Sequence, residues 1–144
     1  LSWALAVSAA AAAAAAGVGE AAAASVALTV SGVKPGPGEI IARLYAGPDG
    51  FPSAPAKAAA QARAPAAQAN VTLELSGVTP GRYALIVIHD ADGDGVMKKS
   101  FLGLPEEGYG LSNNPEPLLV PRFRDGVFAV TDGANAIEVR LVYY

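Results

Sequence analysis

From Ser25 onward apolar and polar side chains alternate with a period of two, the repeat of a strand with one wet face. Val26, Leu28 and Val30 are set against Ala27, Thr29 and Ser31; Ile40, Ala42 and Leu44 against Ile41, Arg43 and Tyr45. Val71, Leu73 and Leu75 alternate with Thr72, Glu74 and Ser76. RYALIVIH, residues 82–89, is apolar on both faces, which predicts a central strand. Residues 127–131 and 136–144 supply two more strands, and residues 117–120 a short edge segment. About seven strands with turn signals between them predict an all-β fold, an antiparallel β-sandwich.

The connections carry their own chemistry. Thr79-Pro80-Gly81-Arg82 places proline and glycine as a type II turn requires, and Lys34-Pro35-Gly36-Pro37-Gly38 does much the same earlier. LTVSGVKPGPGEIIARLY and LELSGVTPGRYALIVI echo each other, either by duplication or because two hairpins solve one turn problem. One short surface helix is predicted over APAKAAAQARA, capped by Ser53 and built of good helix formers. The loop before it holds Phe51 as an apolar plug.

The first 24 residues shift the picture. An apolar, alanine-rich run from Trp3 to Ala16, followed by small residues with A-x-A spacing, reads as a secretory signal peptide ending at Ala24. The competing reading is a low-complexity alanine helix or tail. The run falls short of the ~20 strongly apolar residues of a membrane span, and none is expected in the mature chain. Residues 25–144 are then a single domain, placed in the periplasm or secreted. Removing Glu20 leaves 12 of the 13 acidic residues against 10 basic ones, so no nucleic-acid partner is expected. Cysteine is absent, which excludes disulfides, thiolate catalysis and zinc–cysteine sites.

The candidate chemistry lies in residues 89–114. Asp90, Asp92 and Asp94 fall at every second position and Gly95 follows, the first half of an EF-hand-type loop in which Val96 would give its carbonyl. Calcium is the cofactor this spacing points to. The second half departs: Phe101 stands where a bidentate glutamate belongs, so a further carboxylate would come from Glu106 or Glu107. A plain Asp-Gly turn accounts for the same residues. His89 is the single histidine, and either orders this loop or serves as a catalytic base with Asp90 and a hydroxyl such as Ser100 or Ser112. The long loop from Phe101 offers Tyr109 as an aromatic face and Asn113 and Asn114 as amides, parts for a polar ligand or partner and equally for a loop bonded to itself.

PGRYALIVIHDADGDGVM followed by FLGLPEEGYGLSNN, with Gly50-Phe51-Pro52 upstream, resembles the uncharacterised exported bacterial family catalogued as domain of unknown function 2141. Leu111 stands where that family more often has phenylalanine. The resemblance implies a prealbumin-like or immunoglobulin-like β-sandwich in the cell envelope and brings no catalytic residues. The expectation is a non-catalytic binding or structural module whose partner is an envelope protein or a small polar ligand. The alternative is a small hydrolase centred on His89 and Asp90.

Overall fold

The computed structural model describes residues 23–93 and 107–143. Among the described residues eight strands follow one another: β1 (Ala24–Ser31), β2 (Glu39–Tyr45), β3 (Ala60–Pro65), β4 (Val71–Val78), β5 (Gly81–Asp90), β6 (Tyr109–Leu111), β7 (Phe128–Val130) and β8 (Ala134–Arg140). They form two layers, one ordered β4-β1-β8 and the other β3-β2-β5-β6, with β7 added to the start of β5. The fold is a sandwich-like all-β architecture. Of the expected signal peptide, Ala24 itself belongs to β1, buried and paired with Val78, and residues 1–22 lie outside the described residues.

Alternation explains the main core. Val26, Leu28 and Val30 of β1 meet Leu73 and Leu75 of β4, Ile40, Ala42 and Leu44 of β2, and Leu85 and Val87 of β5 between the layers. The opposite face of the second layer is also buried. Ile41 and Tyr45 of β2, Ile86 and Ile88 of β5, and Tyr109 and Leu111 of β6 pack there with Leu118. Phe51 closes that second core, edge-on to Tyr45 at 5.4 Å and to Phe123 at 5.9 Å, so it plugs the loop as its sequence context predicts. With β2 on one side and β6 beyond, β5 is the central strand its pattern predicts.

Four expectations are corrected. The segment predicted as helix holds only a 3₁₀ turn at Pro55–Lys57 and then β3. Alanine favours helix, but Ala60, Ala62 and Ala64 sit half-buried on one face against the main core while Gln61 and Arg63 stay wet. Ladder bonds to the edge of β2 outweigh a weak propensity. Residues 117–120 form no strand. The sandwich is not purely antiparallel, because β8 runs parallel to β1 from Ser25↔Ala134 to Ser31↔Arg140.

The fourth concerns the echoing turns, which are not hairpins. Each carries the chain from one layer to the other, from β1 to β2 and from β4 to β5. Gly32 at φ 73° and Gly77 at φ 67° take left-handed backbone that L side chains avoid, while Val33 and Val78 behind them are buried. In the second turn Gly81 lies outside that region, so its positive φ falls in the Ser-Gly-Val step and not at the Pro-Gly, whereas the first turn also has Gly38 at φ 87° after Pro37.

Tyr45 generates a prediction. Its ring is fully buried, its hydroxyl donates to the Ala54 carbonyl at 3.0 Å, and burial pushes its pKa above the ordinary tyrosine value. The folded chain therefore holds this proton more tightly than the unfolded one. The resulting stability is present below the unfolded pKa of about 10 and is lost as pH rises towards the folded one. Urea unfolding should show the wild type losing more stability than Tyr45→Phe between about pH 9 and about pH 11. Equal losses would contradict the assignment.

Candidate functional site

The alternation of β5 sends adjacent residues to opposite faces. His89 continues the row of Leu85 and Val87, and Asp90 that of Ile86 and Ile88. The two residues that sequence reasoning paired as catalytic partners are thereby separated.

His89 is 5% exposed and both ring nitrogens are engaged. Nε2 donates to the Pro37 carbonyl at 2.9 Å, since a carbonyl can only accept. Nδ1 lies 2.8 Å from the Tyr143 hydroxyl, which itself accepts the Lys34 backbone N–H at 3.0 Å and so turns its proton toward the ring. Burial pushes the Tyr143 phenol above the ordinary tyrosine value, opposed by the Lys34 hydrogen bond, and Lys34 Nζ sits 4.8 Å over its ring. This arrangement ties the β1–β2 crossing, the end of β5 and the tail after β8 together. Ser112 is buried elsewhere, its hydroxyl accepting the Leu85 N–H and donating to the Gly126 carbonyl. Ser100 lies outside the described residues.

On the other face the carboxylates gather. Asp90, Asp92 and Glu107 each bring one oxygen within 4.8 Å of the others. Asp90 is 1% exposed and accepts the Gly93 N–H at 3.1 Å, while Glu107 accepts the Ala91 N–H at 3.1 Å. Of the residues sequence spacing proposed, Asp94, Val96 and Glu106 lie outside the described residues. At such separations two carboxylates repel by about 0.9 kcal/mol in bulk water and about 3.5 kcal/mol at an effective dielectric of 20. A cation with oxygen preference converts this repulsion into attraction, and calcium takes carboxylate and carbonyl ligands of this kind.

One member of this face was not foreseen. Arg43 is 2% exposed between Ile41 and Tyr45, with its Nε donating to Gln61 at 2.7 Å. Desolvation pulls its pKa below the usual arginine value, with Tyr45 and then Asp90 among the charges opposing that fall. The apolar neighbours on either side of Arg43 are the signal that could have placed it under cover.

The described part of the expected ligand loop, from residue 107 on, is built into the fold. Tyr109 is fully buried and not presented as an aromatic face, its hydroxyl donating to the Leu118 and Leu119 carbonyls. Asn113 and Asn114 adopt positive φ, and their amides bond backbone: Asn113 to the Val127 carbonyl at 2.9 Å, Asn114 to the Glu138 carbonyl at 3.0 Å and the Arg140 N–H at 2.8 Å. The glycines around Tyr109 mark close approach. A Cβ on Gly108 would stand 2.3 Å from the Tyr143 ring, and one on Gly110 would stand 2.6 Å from the Arg140 carbonyl oxygen. Overpacking of this kind costs about 1–3 kcal/mol, so Gly110→Ala should be destabilised by that much in urea titration. Gly47→Ala, whose Cβ would meet nothing within 4 Å, is the control; equal stability of the two would contradict the packing account.

The family described as "Uncharacterized protein conserved in bacteria (DUF2141)" matches residues 28–138. That span runs from within β1 to within β8 and includes Asp90, Asp92 and Glu107. No curated protein and no solved structure matches the chain.

Proposed function

This chain belongs to that uncharacterised bacterial family, and on that premise we propose that it is an exported, non-catalytic binding or structural module of the cell envelope, stiffened by a calcium ion held at Asp90, Asp92 and Glu107. The observation that carries the metal is the convergence of three carboxylates from two separate chain segments, one of them fully buried. Asp94 and Val96 would complete the coordination from the same loop. Calcium here acts on structure, drawing the start of the loop at Asp90 and its return at Glu107 onto one centre. The export half of the proposal rests on the leader-like run before Ser25. The working surface would be the segment between Asp90 and Glu107, with an envelope protein or a small polar ligand as its partner. Against the hydrolase reading, His89 has both nitrogens bound within the fold, and Asp90 faces the other way.

Among the described residues no helix is long and apolar enough to cross a membrane. A site with so few ligands binds in the range of about 10⁻⁴–10⁻³ M. Ten millimolar calcium then adds roughly 1.4–2.7 kcal/mol by mass action, a rise of about 3–10 °C in the melting temperature of a domain this size. Asp92→Asn with Glu107→Gln should abolish the rise while melting slightly higher than wild type in chelator, because like charges have been removed. Equal calcium shifts in both proteins, or none in either, would remove the metal from the proposal. Cell fractionation with an antibody to the chain tests export separately, and a cytoplasmic pool alone would contradict it.

A further inference from the structure

We propose that the outer edge of β8 pairs with the same edge of a second copy of this chain, joining two three-stranded sheets into one of six strands. The proposal is independent of the metal. It begins from the direction of backbone groups along β8. Ser25 N–H donates to the Gly133 carbonyl and Leu141 N–H to the Ser31 carbonyl, so odd-numbered residues of this segment face β1. Even-numbered residues face outward. The Glu138 carbonyl and Arg140 N–H meet the Asn114 side chain, and Val142 exchanges both bonds with Tyr109.

That leaves Ala134 and Ala136. Both direct N–H and C=O away from β1, both are exposed, and among the described residues no hydrogen bond reaches those groups. A bare run of paired donors and acceptors at a sheet edge is a template for another strand. The edge of the other layer is guarded differently, since β3 ends at Pro65 and carries the exposed Arg63. Residues 134–137 of β8 hold no charge, proline or bulge. Half-buried Ile137 packs against the main core at this opening and would be covered by an added strand.

The occupant follows from self-complementarity. Antiparallel pairing centred on Ala136 sets Ala136 against its own copy and Ala134 against Glu138, so the bare N–H and C=O of each Ala136 face those of the other across the two-fold. Small side chains at the junction let the strands approach. Asn114 ends the ladder at Glu138 by occupying the next outward donor, which confines the contact to this register.

Sedimentation equilibrium of the 144-residue chain tests the pairing. The wild type should approach twice 14.4 kDa with rising concentration. Ala136→Pro removes an outward N–H and leaves the bonds to β1 in place, and loss of two ladder bonds per dimer should weaken association about thirtyfold. Ala136→Lys, which sets like charges opposite each other, should do the same with unchanged circular dichroism and so guards against a misfolded proline variant. A wild type that stays monomeric at every concentration overturns the proposal. So does association that neither substitution weakens, the result expected if residues 1–22 or another surface were responsible.

Discussion

Burial of β5 on both faces is the constraint from which the rest of this structure follows. A strand covered on one side only could leave its second face polar, yet Ile86 and Ile88 need cover as much as Leu85 and Val87 do. The loops after β2 and β6 supply it, through Phe51, Leu118 and Phe123. The second core therefore exists because of one strand's composition, and loops that would otherwise be free connectors become part of the packing. The same strand ends by turning His89 inward and Asp90 outward, so its pleat decides which residue becomes a structural tie and which joins the carboxylates.

The two ends of that decision differ in character. His89 sits in a closed set of hydrogen bonds, with Pro37 and Tyr143 as partners and Lys34 beyond. Asp90 sits at the boundary between core and loop, buried itself while Asp92 beside it is exposed. A group of this kind is held in place by the fold and still reaches what the loop presents. Arg43, buried on the same face, supplies positive charge that offsets part of the carboxylate repulsion.

Much of this was legible in the sequence. Period-two alternation located β1, β2, β4 and β5 and assigned their inward faces, and the two-sided apolarity of residues 82–89 named the central strand. The failures have physical causes. Alanine-rich β3 looked helical because propensity ignores an unpaired neighbouring edge, which only the tertiary arrangement supplies. β6 is three residues long, too short for any period to register, and it was read as loop. The parallel β1–β8 pair joins segments more than a hundred residues apart, beyond any local signal. In the candidate site, Asp90 and Asp92 were visible from spacing, and Glu107 was one of two residues named across the loop. Asn113 and Asn114 were chosen for the right chemistry, but their amides face the backbone of β8 and Val127, a geometry that residue type alone cannot convey.

Residue-resolved amide hydrogen exchange, recorded with and without calcium, tests the central claim most directly. If β5 is the doubly covered spine, the amides of residues 85–89 exchange only through global unfolding, as slowly as any in the chain and equally with or without the ion, while those of Ala91 and Gly93 slow when calcium is added. Exchange of residues 85–89 through local opening, faster than that of β1, would contradict the account.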